Sequence, residues 1–136
     1  GQKTYSSSTI RWKIILSMLN KKYRLKKDFQ FRYIYRNGHS VRTSAVSLIF
    51  VKSKHTGIKI GISVSNKIGK AFFRNRIKRL IRENVRAQLD NMIKGYNYIF
   101  VANNNFDFSH SDYSMISNYI TNAIKQANSI ITSVKI

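Results

Sequence analysis

The segment from Phe73 to Val85, FRNRIKRLIRENV, constrains the fold most because it combines regular apolar spacing with a dense run of cations. At 3.6 residues per turn, Arg74, Lys78 and Arg82 repeat along one side of a helix, and Arg86 continues the row. The opposite side carries apolar residues, namely Phe73, Ile77, Leu80 and Ile81. The segment therefore predicts a helix with one side on a core and the other facing a polyanion.

Composition supports a folded basic protein of one domain. The 136 residues are enough for a single core, and the apolar share of 43% argues against a disordered basic tail. The 25 Lys and Arg against 5 Asp and Glu give a formal charge of +20. Such a charge favours nucleic acid as the partner, with an anionic membrane surface as the second candidate. The absence of cysteine excludes a disulfide scaffold and a thiolate metal site.

Residues 1–17 differ from the rest of the chain and are predicted to lie outside the core. They contain a serine cluster and no acid, which is compatible with a transit peptide, an upstream extension or appended sequence. A natural start could lie at Met18, so the domain is placed at residues 18–136. The apolar stretch Ile10 to Leu19 is too short for a membrane span and carries two charges.

Periodicity predicts an alternating order of helices and strands in the body of the chain. Helices are predicted at Lys26 to Asn37, at about Lys70 to Met92, and after a cap at Ser111 or Asp112. Strands are predicted at Val46 to Val51, Ile58 to Ser65 and Tyr96 to Ala102. Gly38 is expected to end the first helix in the left-handed conformation, and Gly95 to close the second. This order describes a small α+β domain with helices on one sheet.

The first predicted helix carries aromatic residues on two faces. Phe29 and Tyr33 share one face, and Phe31 and Tyr35 share another, each pair four residues apart. One face is expected to contact the core. The other is available to a ligand, and exposed aromatic rings are stacking platforms for unpaired bases.

Residues suited to protein-based catalysis are sparse. No two of the five acids stand at a spacing that suggests a catalytic pair, and the three histidines lie in predicted loops without metal-ligand spacing. The glycines form no phosphate-binding loop of the P-loop type. No catalytic residue and no protein-held metal is therefore predicted, whereas arginine forks suited to phosphate are abundant.

A long run in this chain resembles the signature of the bacterial ribonuclease P protein family. The run is Asn66-Lys67-Ile68-Gly69-Lys70-Ala71-Phe72-Phe73-Arg74-Asn75-Arg76-Ile77-Lys78-Arg79-Leu80-Ile81-Arg82-Glu83. The resemblance extends to Tyr23-Arg24-Leu25-Lys26-Lys27, to Phe31-x-x-x-Tyr35-x-x-Gly38 and to Gly61-Ile62-Ser63-Val64-Ser65. It covers nearly the whole chain from Met18. Two positions depart from the usual family pattern: Ile49 stands where an aromatic is common, and Asn66 where a lysine is common.

The resemblance implies a single two-layer α+β sandwich. It would have a central sheet of four strands, three helices and a left-handed βαβ crossover, an exception to the right-handed rule. The fourth strand would be a short one near Ser40 to Arg42, which periodicity does not predict.

The family likeness also implies a function and its residues. The chain would be the RNA-binding protein subunit of ribonuclease P, the endonuclease that removes the 5′ leader from precursor tRNA. The RNA subunit would carry the catalysis and most of the Mg²⁺. Contacts to that RNA would come from Lys67, Lys70, Arg74, Asn75, Arg76, Lys78, Arg79, Arg82 and Arg86. A cleft for the single-stranded leader would be lined by Phe31, Tyr35, Ser63 and Lys67.

Two other functions remain open from the residues alone. A general RNA-binding or ribosomal structural protein explains the charge equally well but predicts no preference for a leader. A membrane-surface protein anchored through Ile10 to Leu19 is the second, although no stable membrane association is expected. The expected partners are ribonuclease P RNA and precursor tRNA, and the expected location is the cytoplasm.

Overall fold

Three helices and one mixed sheet make up the part of the chain that the structure describes. The computed structural model describes residues 24, 25 and 28–134, so the predictions for residues 1–17 and for the stretch Ile10 to Leu19 lie outside it. The helices are α1 (Asp28–Asn37), α2 (Ala71–Ala87) and α3 (Tyr113–Val134). The strands are β1 (His39–Arg42), β2 (Val46–Lys52), β3 (Ile58–Ser63) and β4 (Tyr96–Ala102). The α+β class, the four strands and the three helices are confirmed.

The sheet has the order β1-β2-β4-β3, so the last strand of the chain lies inside the sheet. β2 pairs antiparallel with both β1 and β4. β3 pairs parallel with β4, with Ile58 opposite Tyr96 and Ser63 opposite Val101. Parallel neighbours need a crossover, and α2 supplies it, which completes the βαβ unit that the family likeness implies. Its left-handedness stays a prediction.

One face of the sheet packs against both long helices, and most of the core lies there. Alternate strand residues such as Leu48, Phe50 and Phe100 point to this face and are fully buried. Ile77 and Ile81 of α2 and Ile120 of α3 fill the space opposite them, each with 0% exposure. We call this the helix-pair face.

The other face of the sheet is covered by α1 alone. Ile34 of α1, Ile99 of β4 and Leu25 form its small buried cluster. Ile49 and Phe31 pack against that cluster and are partly buried. Helices therefore lie on both sides of the sheet. This second side carries the short helix α1, and we call it the α1 face.

Most predicted element boundaries agree with the structure, and the differences occur at the ends. β4 matches its prediction, whereas β3 ends at Ser63 and a 3-10 turn at Asn66–Ile68 follows it. The predicted second helix is too long, because α2 ends at Ala87 and a separate 3-10 turn spans Leu89–Asn91. Asp112 caps α3 by accepting a 2.9 Å hydrogen bond from the Met115 backbone N–H.

Gly38 ends α1 for a different reason from the one predicted. Among the described glycines only Gly95 lies in the left-handed region, with φ at 89°. At Gly38 a Cβ would lie 2.6 Å from the Ile34 carbonyl oxygen and 2.9 Å from that of Phe50. The expectation of a left-handed Gly38 is therefore wrong. Glycine is needed there because the end of the helix passes directly over the backbone of β2.

Candidate nucleic-acid interface

The start of α2 concentrates positive charge at the end of β3. The Ser65 hydroxyl accepts a 3.2 Å hydrogen bond from the Lys67 backbone N–H and so shapes the 3-10 turn before the helix. Lys70 occupies the N-cap position, and the first turn of α2 contains no acid. The helix dipole adds partial positive charge at this end, where acids are usually favoured. The exposed side chains of Lys67 and Lys70 thus stand where a phosphate would be stabilised.

Two arginines of α2 are held by backbone carbonyls. The Arg74 guanidinium donates to the Gly69 carbonyl at 3.0 Å, across the turn that precedes the helix. The Arg76 guanidinium donates to the Ser111 carbonyl at 2.7 Å and so joins α2 to the loop before α3. A guanidinium has five N–H donors, so each retains donors for a phosphate. The bonds fix where those donors are presented.

A row of cations on α2 borders a cavity at the free side of β3. Lys78, Arg82 and Arg86 are half-buried there, and the exposed Arg24, from the segment before α1, lines the same cavity. The cavity has a volume of about 230 Å³, and its remaining lining is mainly apolar, from Leu25, Phe31, Ile60, Gly61, Ile62, Val85 and Leu89. The sequence placed this row on the open RNA-facing side of the helix, whereas the structure turns it toward the sheet edge.

Arg82 is the cation of this row whose charged form is least favoured by its surroundings. Burial lowers the pKa of the Arg82 guanidinium, and the nearby charges of Arg24, Arg86 and Arg79 lower it further. Glu83 acts in the opposite direction. Arginine stays protonated at neutral pH, so the cluster keeps its charge and attracts an anion.

Asn75 and Arg79 lie on the exposed side of α2. The helix packs on the sheet through Ile77 and Ile81, and the outward positions point away from that contact. The predicted RNA-binding residues therefore form two groups. One group is open to solvent, at Lys67, Lys70, Asn75 and Arg79. The other is half-buried or hydrogen-bonded, at Arg74, Arg76, Lys78, Arg82 and Arg86.

The four residues of the predicted leader cleft lie along the α1 face and its β3 end. The Phe31 ring packs directly on Gly61, where an added Cβ would lie 2.5 Å from two ring carbons. Ser63 follows Gly61 on the same side of β3, because side chains alternate along a strand. Tyr35 lies one turn beyond Phe31 and is 46% exposed. Lys67 comes just after β3, with its side chain exposed.

Phe31 joins this cleft to the cavity, because it lines both. Arg24 and the cavity itself were missed by sequence reasoning. The backbone N–H of Leu25 donates to the Ile60 carbonyl at 2.9 Å, and this bridge is what places Arg24 beside α2. The family-like opening Tyr23-Arg24-Leu25 was the available signal, but nothing in its spacing indicates a partner in β3.

The described residues supply binding groups and no metal cluster. In residues 24, 25 and 28–134, no group of three or more His, Asp or Glu side chains is placed to hold a metal ion. None of the three described helices is long and apolar enough to cross a membrane. A basic helix beside a cleft with an aromatic lining is the arrangement typical of an RNA-binding protein.

The chain belongs to the ribonuclease P protein family. The family model described as Ribonuclease P matches residues 19–128. A relative from Clostridium botulinum, named Ribonuclease P protein component, is 39% identical over 108 residues, which are 79% of this chain and 96% of the relative. One from Clostridioides difficile with the same name is 44% identical over 79 residues, which are 57% of this chain and 69% of that protein.

Solved structures agree with this assignment. The ribonuclease P protein of Staphylococcus aureus superimposes with a TM-score of 0.70 at 33% identity, covering 77% of this chain and 94% of that one. The protein from Thermotoga maritima also gives a TM-score of 0.70, at 27% identity, covering 76% and 96% of the two chains.

Proposed function

We propose that this chain is the RNA-binding protein subunit of ribonuclease P, the ribonucleoprotein that removes the 5′ leader from precursor tRNA. The observation that carries the proposal is the pairing of a cationic helix with an aromatic cleft on one domain of the family. Catalysis would belong to the RNA subunit. Among the described residues, binding groups are abundant and no cluster of three or more metal-ligating side chains is assembled.

The basic helix α2 would bind the RNA subunit. Arg79 and Asn75 face outward, and Lys67 and Lys70 lie at the helix start, so a phosphate backbone could follow this side of the helix. Each neutralised phosphate would release counterions, so assembly should weaken steeply as salt rises. Arg74 would join these contacts through the donors that its bond to Gly69 leaves over.

The cleft beside α1 would bind the leader. Tyr35 offers an exposed ring for base stacking, and Ser63 and Lys67 offer a hydroxyl and a charge to the backbone. Mature tRNA lacks the leader, so these contacts would exist with the precursor and not with the product. The difference in affinity would favour substrate over product without any contact to the cleaved bond.

Mg²⁺ would be held mainly by the RNA subunit, as the likeness to the ribonuclease P protein family implies. No step of the protein's action is assigned to the ion. The proposed location is the cytoplasm. The proposed partners are ribonuclease P RNA and precursor tRNA.

Reconstitution tests the proposal. The full chain is added to a bacterial ribonuclease P RNA at low Mg²⁺, and cleavage of precursor tRNA is measured. We expect the chain to enhance cleavage at the site that produces the mature 5′ end of the tRNA. A chain that binds the RNA but leaves cleavage unchanged would be a general RNA-binding protein instead.

Charge removal separates the helix from the rest of the basic surface. Replacing Arg74 and Arg82 by Gln should weaken assembly and lower the slope of affinity against salt. The control replaces Lys54 and Lys125 by Gln, which removes the same charge from exposed positions outside α2. Equal slopes for the two variants would count against α2 as the RNA contact.

The cleft is tested with substrate and product in parallel. Tyr35→Ala should weaken binding of precursor tRNA to the holoenzyme by about tenfold and leave mature tRNA unaffected. Tyr113→Ala serves as the control, because Tyr113 is similarly exposed, at 43%, but lies on α3. Equal losses for precursor and mature tRNA would remove Tyr35 from the leader cleft.

A further inference from the structure

The outer side of α1 carries an aromatic and cationic stripe that the leader cleft does not use. Phe29 and Tyr33 are 59% and 56% exposed, although both are large apolar-bodied side chains. Arg32 and Arg36 are exposed on the same helix. The four residues follow the spacing i, i+3, i+4 and i+7, which places them on one side of the helix. We call them the outer stripe.

The core of the protein does not account for this stripe. α1 packs on the sheet through Ile34, which is 1% exposed, and through Phe31. Residues 29 and 33 lie on the opposite side of the helix from this contact. Single exposed aromatic residues are ordinary. Two of them, one helical turn apart on the same side, form a patch that indicates a partner.

The chemistry of the stripe matches unpaired nucleotides. Its rings alternate with guanidinium groups, so a base could stack on Phe29 or Tyr33 while Arg32 or Arg36 binds the adjoining phosphate. The only acid of α1 is Asp28 at its first turn, so the two arginines leave this side of the helix with a net positive charge. Tyr35, 46% exposed, lies at the flank of the stripe and connects it to the cleft.

From these observations we propose that the outer stripe is a second surface for single-stranded RNA. An apolar protein partner would have to bury both guanidinium groups, which is costly without paired acids. A second copy of this chain would bring together two surfaces of a protein with a charge of +20. RNA satisfies the rings and the charges at once. The inference reaches beyond the proposed function, because Phe29 and Tyr33 lie outside the cleft assigned to the leader.

The test measures binding of an oligouridylate of about ten nucleotides to the full chain by fluorescence anisotropy, over a series of salt concentrations. The double variant F29Q/Y33Q should bind about tenfold more weakly with an unchanged salt slope, because it loses stacking and no phosphate contact. The double variant R32Q/R36Q should also bind more weakly, and its slope should fall by about 1.4.

Tyr113→Gln is the matched control, since it removes an aromatic ring of similar exposure from α3. It should leave affinity unchanged. Far-UV circular dichroism and urea unfolding should be unchanged in F29Q/Y33Q, because both side chains are more than half exposed. A loss of fold in that variant would itself overturn the inference, since the rings would then be structural.

Three further results would overturn the proposal. The aromatic variant could bind as the parent does, it could lose no more affinity than Tyr113→Gln, or it could change the sedimentation mass of the free chain, which would make the stripe a self-association surface. The proposed function stands or falls separately, on cleavage and on Tyr35→Ala with precursor and mature tRNA. Loss of precursor preference with Tyr35→Ala, together with unchanged oligouridylate binding by F29Q/Y33Q, would keep the cleft and reject the stripe.

Discussion

The two faces of the sheet differ in how much apolar surface covers them. On the helix-pair face, two long helices and the loop around Phe108 enclose the strand side chains, many of which have 0% exposure. On the α1 face, one helix of ten residues covers Ile99, while Ser47 and Ser63 stay partly exposed. The same strands therefore have a closed side and an open side.

This difference separates stability from binding. Burial of apolar side chains dominates the free energy of folding, so the helix-pair face should carry most of it. The α1 face buries less apolar surface. It leaves polar groups close to the backbone and aromatic rings accessible to a ligand. Each of the following predictions tests that division.

The largest expected effect is a difference between two isoleucines. Ile120→Ala on the helix-pair face should lower the free energy of unfolding by about 4 kcal/mol, because close packing prevents the cavity from collapsing. Ile34→Ala under α1 should cost about 2 kcal/mol, because a short helix can settle into the space. Urea unfolding at one fixed salt concentration measures both. Equal losses, or a larger loss for Ile34→Ala, would break the comparison.

A second prediction concerns the contact between β3 and Phe31. Gly61→Ala should lower the free energy of unfolding by about 2 kcal/mol, because the new methyl group overlaps the Phe31 ring. Gly57→Ala is the control and should be neutral or slightly stabilising, since no heavy atom lies within 4 Å of its Cβ position. The double variant F31A/G61A should lose less than the sum of its single variants. Strict additivity in urea unfolding would show that the two residues do not touch.

A third prediction uses Tyr98, whose hydroxyl donates a 2.6 Å hydrogen bond to the Ile93 carbonyl beneath the helix-pair face. Tyr98→Phe should cost about 1 kcal/mol at neutral pH. Burial raises the pKa of Tyr98 well above its ordinary value of 10.0. The neutral form is therefore favoured in the folded state, so its contribution is complete below about pH 10 and declines as pH rises further. The stability difference between the parent and Tyr98→Phe should shrink above about pH 10, and a constant difference up to about pH 11 would contradict this.

The smallest effect on folding is expected at Arg82, between the two faces. Arg82→Met keeps the apolar stem and removes a charge that burial and three neighbouring arginines disfavour. The free energy of unfolding of the isolated chain should stay level or rise by less than about 1 kcal/mol, while RNA affinity falls. Urea unfolding and RNA titration of the same sample measure the two changes. A loss of both stability and affinity would show that Arg82 is structural.

The helix-pair face could be predicted from sequence almost completely, because its elements have long and regular apolar periods. β4 and the core positions Ile77 and Ile81 of α2 follow directly from that spacing. The strand β1 did not, because only Val41 of its four residues is buried and a strand that short has no period to detect. It was expected from the family likeness alone.

Periodicity alone could not predict the α1 face and the cavity, because they depend on contacts between distant segments. Periodicity grouped Arg74, Lys78 and Arg82 with the open side of α2, and only the position of β3 turns Lys78 and Arg82 toward the sheet edge. The role of Gly38 depends likewise on the backbone of β2 passing beneath it. The sequence also could not show which of Phe29 and Phe31 contacts the sheet, since each has an aromatic residue four positions later.

The short bridge from Leu25 to Ile60 has a consequence for how the molecules behave toward each other. β3 is an outer strand of the sheet, and the bridge occupies backbone groups on its free side, with the charge of Arg24 beside them. Outer strands with free backbone groups are templates for strand addition between molecules and hence for aggregation. The two described residues of this segment thus block strand addition at the edge formed by β3. The bridge limits edge-to-edge pairing between molecules at β3, while β1 remains the other outer strand of the sheet.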